Sequence, residues 1–544
     1  MSQSSGDIHL LGKDDALAPV RSGASSASSA TQNIGSRAAR GMVWLSAQTI
    51  VTRITSFATQ LALAWLLAPG DFGQVSLVYT ITAFAALLNN PGVDEVLLQK
   101  QTRLRRWATA AFWLNVMLGL AGGALVALSG LAVHQVALRY GNAAYANPNV
   151  LWMTLILAAA APLNAASMVP VVVLRSELRF ARLAAVNLAD VLMAQALSVA
   201  LAALGCGPYS FVVPFLVNAV VRLPILWILA RPPVHWRLST HRWGSLIGST
   251  RWVAGQRLFY SLTAIGDYLV LGALYDNPTL SGLYYFAFLL CAQIIQVLCN
   301  NVGAVLTPAL NAMLGDRPRM EQATQRAMKS LAVMVVPAMA LQILLAGPAI
   351  RLLFAHKWEP AIPLVQLLSL GPVLYTAIWP LASLLSASGR FRDGFYLWGV
   401  VALLFFAVVA PATWLGAAHG TAIGVSIWGW LAASCFAAGA YRSVAGIAKL
   451  FDAVWRPIVC ALPAVAAASA ILPFMPKGVI GDFLAAGIAA SLMLGIYLAI
   501  LHRVDRDAVE QLLHHLNGVL HPILSLAQRP VRSALWGRKY SRGT

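Results

Sequence analysis

Apolar runs of about twenty residues recur along this chain, and they constrain its fold more than any other feature. A helix rises about 1.5 Å per residue, so each run is long enough to cross a hydrocarbon layer roughly 30 Å thick. Inside that layer there is no water to bond the backbone, which leaves helices as the solution for runs of this length. About fourteen runs can be counted, with centres near residues 55, 82, 120, 162, 194, 219, 262, 294, 340, 373, 405, 430, 466 and 492. Of the 544 residues, 59% are hydrophobic and 10% charged, against roughly 25% charged in an average soluble domain. The expected fold class is an all-α polytopic membrane protein.

Where the basic residues fall sets the orientation. Thirty-one of the 38 lysines and arginines lie in the N-terminal tail, in alternate loops starting after the second span, and in the C-terminal tail. Only four lie on the opposite side, so both tails are expected in the cytoplasm. Clusters such as Arg103, Arg105, Arg106 and Arg231, Arg237, Arg242 then set orientation and touch anionic headgroups, and no nucleic acid partner is expected despite the net charge of +19. Residues 1–40, rich in Ser, Ala and Gly, read as a disordered cytoplasmic tail and not as a signal peptide. Val504 to Leu526 reads as an amphipathic helix lying on the membrane, with His514, His515 and His521 interfacial and not metal ligands. The five cysteines (Cys206, Cys291, Cys299, Cys435, Cys460) have no spacing that suggests a disulfide framework or a metal site, and read as small core residues.

An internal repeat is visible after the first and seventh spans. Pro69-Gly70-Asp71-Phe72-Gly73 precedes Gln74 to Tyr79 as Pro278-Thr279-Leu280-Ser281-Gly282 precedes Leu283 to Phe288, with proline and glycine at the same spacing. Both copies start from the cytoplasm, which predicts two parallel six-helix lobes related by an axis along the membrane normal. The lobes would cover residues 41–231 and 232–442, followed by two extra helices (443–502) and an amphipathic basic tail (503–544).

The charged residues left inside spans are the candidates for function, because burying a charge in hydrocarbon is costly. Arg53 lies near the middle of the first span. Thr49, Ser56 and Gln60, with Ser46, fall on its face at steps of three and four residues, a polar stripe expected to face a bundle interior or a water-filled cavity. Arg257 shares a face of the seventh span with Tyr260 and Ser261, whereas Asp267 lies about 15 Å further along the same helix and needs a different partner. Asp94 and Glu95 close the second span, Asp190 sits in the fifth, and Arg222 sits near the cytoplasmic end of the sixth, where its side chain can also snorkel. Arginine suits an anionic ligand, since its guanidinium stays charged when buried and binds phosphate oxygens in bidentate fashion. A hydrophobic cation would instead want carboxylates and aromatics. The chain has no Walker A, HExxH or DxD-like motif, so a transporter driven by an ion gradient, a potential or the substrate gradient is expected, with no cofactor and no metal.

Several stretches resemble the bacterial polysaccharide and lipid-linked oligosaccharide flippases, the Wzx-type members of the superfamily that also holds the MATE drug exporters. They are Leu66 to Gly73, Gly92 to Gln99, Leu174-Arg175-Ser176-Glu177-Leu178-Arg179-Phe180, Asp267, and Trp358-Glu359-Pro360-Ala361. The resemblance covers roughly Ala38 to His502. Pro91, before Gly92, departs from it. It implies an alternating-access flippase in the bacterial inner membrane, not an enzyme, carrying an undecaprenyl-pyrophosphate-linked oligosaccharide for exopolysaccharide, capsule or O-antigen, with polysaccharide polymerase machinery as a further partner. Arg53, Arg257, Arg222, Gln60, Ser56, Thr49 and Tyr260 would line a cavity for the pyrophosphate and sugars, and Asp267 and Asp190 would serve ion coupling. The alternatives are a cation-coupled multidrug exporter and a membrane polysaccharide polymerase or ligase. The latter usually needs a large external loop, and the longest external segment, about His134 to Val150, is short and nearly uncharged.

Overall fold

The structure, a computed structural model, describes residues 48–49, 51–83, 92–94, 97, 104–177, 179–235, 240, 243–354, 356–471 and 479–506. The N-terminal tail, Ser46, Glu95, Pro91, Arg103 and the amphipathic tail beyond Arg506 with its histidines lie outside the described residues. Among the described residues every regular element is a helix. They run α1 (residues 51–66), α2 (Pro69–Ala83), α3 (Leu104–Tyr140), α4 (Ala143–Ala146), α5 (Pro148–Ala166), α6 (Met168–Ser176), α7 (Phe180–Ala203), α8 (Tyr209–Ala230) and α9 (Trp243–Leu274). Then come α10 (Pro278–Asn311), α11 (Arg317–Leu353), a 3-10 turn (His356–Ala361), α12 (Ile362–Leu368), α13 (Pro372–Tyr375), α14 (Ile378–Ala387), α15 (Phe391–Tyr441), α16 (Ala445–Ile471) and α17 (Val479–Val504).

Nine helical stretches among the described residues are long and apolar enough to cross a membrane, or ten if the bent pair His356–Leu368 and Pro372–Ala387 is one span. The stretch α15 is itself a hairpin. Gly416 and Ala417 leave helical geometry there, Ala417 in the left-handed region at φ 48°, and the chain reverses. Across the turn the Thr413 and Thr421 hydroxyls lie 3.0 Å apart, and further down Trp428 Nε1 donates to Val401 O, so the two halves run antiparallel where the sequence predicts spans near 405 and 430. The segment expected as an external loop from His134 is partly helix, because α3 continues to Tyr140. Ile54, Leu128, Ile228 and Leu403 are 65% to 74% exposed, apolar surface of the kind a bilayer covers.

The two copies of the repeat meet. A Cβ on Gly73 would run into the Pro278 carbonyl, and one on Gly282 into the Pro69 carbonyl, so the first turns of α2 and α10 cross backbone to backbone. The contact is reciprocal, as a twofold relation between the two stretches requires. Beside the crossing, Phe72, Phe286 and Trp358 are fully buried; the rings of Phe286 and Trp358 stack at 4.0 Å, with Phe72 edge-on to Trp358 at 4.9 Å. Trp358 Nε1 donates to Ala64 O, and Lys357 Nζ donates to Trp65 O and Leu67 O, closing the end of α1. The stretches Leu66 to Gly73 and Trp358 to Ala361, far apart in the chain, are one packed region.

After the 3-10 turn, prolines decide the path. Pro363, Pro372 and Pro380 cannot donate to a helical ladder, and the chain bends by 45° between Leu368 and Pro372. Carbonyls at the bend accept from the second half of α15: Ser426 Oγ donates to Leu367 O, and Trp430 Nε1 to Leu370 O. Gly371 is needed because a Cβ there would press on Ser426. This bend opens the space that forms the site.

Candidate substrate site

A cavity of about 420 Å³ lies between α9, α10, the bend and the second half of α15. Five aromatic side chains stand among its walls, Tyr260 from α9, Phe288 from α10, Tyr375 and Trp379 from beyond the bend, and Trp428 from α15, between small and aliphatic residues such as Ala264, Ala292, Ile295 and Val425. Asp267 lies in one wall, 1% exposed, with both carboxylate oxygens engaged. Tyr284 donates its hydroxyl to Oδ2 at 2.8 Å, and the Tyr268 backbone N–H donates to Oδ1 at 3.0 Å. This is the separate partner that the position of Asp267 demands.

Gln296 also lines the cavity, and it joins it to α1. Arg53 Nη1 donates to Gln296 Oε1 at 2.8 Å, placing the guanidinium at the cavity's edge. The rest of the α1 stripe turns inward as its spacing predicts. Gln60 accepts from Gln293 of α10 at 3.5 Å, and Ser56 accepts from Gln195 of α7 at 2.6 Å. Thr49, just ahead of α1, is exposed.

The other two arginines meet carboxylates. Arg222 of α8 pairs with Asp190 of α7 at 3.6 Å, and Asn187 accepts from its Nη2 at 3.4 Å. Arg257 of α9 lies 3.9 Å from Asp94, beside Gly92. Of the residues expected at the site, the cavity therefore gathers Tyr260 and Asp267, with Arg53 at its edge through Gln296; Arg222, Asp190 and Arg257 are not among its walls. The sequence reading missed Gln296, Tyr375, Trp379 and Trp428. Aromatic residues in an apolar span look like core, and the available signal was the cluster of Pro363, Gly371 and Pro372 in mid-span.

Residues 62–363 match the family described as polysaccharide biosynthesis protein. The chain belongs to this family. It is 26% identical over 372 residues to the succinoglycan biosynthesis transport protein ExoT of Rhizobium meliloti (strain 1021), covering 68% of this chain and 73% of that protein. It is also 22% identical over 391 residues to the lipopolysaccharide biosynthesis protein WzxC of Escherichia coli (strain K12), covering 71% of this chain and 76% of that one. The fold of this family member is similar to that of the lipid II flippase MurJ in an inward closed conformation, with a TM-score of 0.66 at 13% identity over 86% of this chain and 100% of that chain. The resemblance read from the scattered motifs is thus borne out, and so is the all-helical membrane fold class.

Proposed function

We propose that the chain is a flippase that moves a polyprenyl-pyrophosphate-linked oligosaccharide across the bacterial inner membrane, with both termini in the cytoplasm, for a polysaccharide polymerase to use. The observation that carries this reading is Arg53: a cation in the first turn of α1 whose described side-chain partner, Gln296, is neutral and lines a cavity. Moving a pyrophosphate through hydrocarbon requires groups that replace its water, and a guanidinium with no carboxylate beside it among the described residues can do so. The names of the relatives, which refer to succinoglycan transport and lipopolysaccharide biosynthesis, support the same class of cargo. The lobes 41–231 and 232–442 would alternate access around the crossing of α2 and α10, with the lipid tail left in the bilayer. Arg257, on its loose pair with Asp94, would meet the headgroup at another depth.

The test is export of surface polysaccharide in cells carrying Arg53→Ala. The expected result is loss of polymer with the protein still in the membrane at normal level. Normal export from Arg53→Ala would sink the assignment of this site. A second reading, a cation-coupled drug exporter, has one observation in its favour, the carboxylate of Asp267 in an aromatic cavity. Both of its oxygens are already engaged, and Arg53 at the edge repels cations, which is why it ranks second. Drug resistance on expression, lost in Asp267→Asn, would promote it.

A further inference from the structure

We propose that the aromatic cavity at the bend holds the sugar nearest the phosphate, so that the reducing end of the glycan is gripped by Tyr260, Tyr375, Trp379 and Trp428 while Arg53 takes the phosphate. This rests on the flippase reading and names what this part of the site binds.

The chemistry of the walls separates three occupants. The carbon faces of a pyranose ring are apolar and its edge carries hydroxyls, so a sugar pocket combines flat aromatic surfaces with a few fixed polar groups. Trp428 donates its indole N–H to Val401 O, so its one polar atom is already satisfied and it offers the cavity apolar ring surface. Its ring lies 5.4 Å from that of Tyr375, and Tyr260 packs edge-on against Trp398 at 5.3 Å, so these rings are held in place before anything binds. Trp379 lines the cavity and has no ring partner among the described residues. The phenols of Tyr260 and Tyr375 and the Gln296 amide belong to lining residues and supply the polar points.

An isoprenoid chain would leave those phenols without hydrogen-bond partners, at a cost that a sugar avoids. A hydrophobic cation would face Arg53 at the edge and a carboxylate whose oxygens are both taken. The volume, about 420 Å³, falls in the lower part of the range of roughly 300–1,000 Å³ for small-molecule pockets, a size that takes a mono- or disaccharide and not a long glycan. The remaining sugars would lie outside this pocket.

The experiment uses the full chain in lipid nanodiscs and measures binding by tryptophan fluorescence. The probes are a panel of hexose 1-phosphates, inorganic phosphate, geranyl phosphate and tetraphenylphosphonium. At least one hexose 1-phosphate is expected to bind about tenfold more tightly than inorganic phosphate, an advantage removed by Trp379→Ala and kept by Trp379→Phe. Tyr375→Phe, which keeps the ring, should weaken that hexose phosphate by roughly threefold to tenfold and leave inorganic phosphate unchanged. The proposal is overturned if every hexose phosphate binds no better than inorganic phosphate, or if geranyl phosphate or tetraphenylphosphonium binds more tightly than all of them. None of these results depends on transport. Export that survives Arg53→Ala would remove the flippase site without touching the sugar binding measured here.

Discussion

Arg53 and Arg222 are both arginines inside apolar helices, and the protein treats them differently. Arg222 faces Asp190, with the two side chains 27% and 19% exposed, so its charge is cancelled within the fold. Arg53 faces the amide of Gln296, which accepts a hydrogen bond but brings no negative charge. A guanidinium already paired with a carboxylate has little left to offer an incoming phosphate, since it must break one ion pair to make another. One hydrogen-bonded to a neutral amide keeps its full charge for the cargo. The Arg222 site therefore reads as structural glue between α7 and α8, and the Arg53 site as machinery.

The comparison breaks most sharply if one site is converted into the other. Gln296→Glu places a carboxylate against Arg53 with almost no change in shape. Polymer export should fall about a hundredfold, equivalent to losing roughly 2.7 kcal/mol of headgroup binding, with membrane insertion unchanged. Export at the normal level in Gln296→Glu would show that the charge of Arg53 is not what meets the cargo.

The Arg222 site should respond in stability before it responds in transport. Arg222→Ala strands Asp190 among helices, and a cost of about 2 to 3 kcal/mol is expected, below the roughly 3–5 kcal/mol of a fully buried pair because both side chains keep some exposure. The thermal unfolding of the purified protein would show it. Replacing both members, Arg222→Met with Asp190→Leu, should recover most of the loss and leave export near normal. A stable double variant that cannot export would return Arg222 and Asp190 to the transport machinery.

The sequence displayed the charges but not their pairing. Helical spacing alone put Ser56, Arg53 and Gln60 on the inward face of α1, and the structure joins all three to neighbouring helices, because a 3.6-residue period is a local property. Whether an arginine meets Asp190 or Gln296 depends on how distant helices pack, which no local period encodes. The repeat shows the same limit from the other direction. Pro69 to Gly73 and Pro278 to Gly282 read as two turns, and their glycines are required because the two turns lie against each other. The cavity was hardest to see, since Tyr375, Trp379 and Trp428 are ordinary apolar residues until Pro363 and Pro372 bend the chain around them.

Lys357 shows a third way to hold a cation, and it sharpens the contrast at its weakest end. It donates to two backbone carbonyls, Trp65 O at 3.0 Å and Leu67 O at 2.6 Å, where the last turn of α1 leaves carbonyls without helical donors. The negative end of the helix dipole favours a positive charge there, so this lysine acts as a cap joining the 3-10 turn to α1. Its bonds fasten one segment to another at the end of the bundle, beside the buried Trp358 and away from the cavity walls. Lys357→Met keeps the apolar stem and removes the charge, and should cost about 1 kcal/mol, seen as a small drop in the thermal midpoint with export intact. If Lys357→Met instead lost export as severely as Gln296→Glu, at normal protein level, then a cation bonded only to neutral groups would mark contact with the cargo wherever it occurs, and the distinction drawn between capping and binding would have to be abandoned.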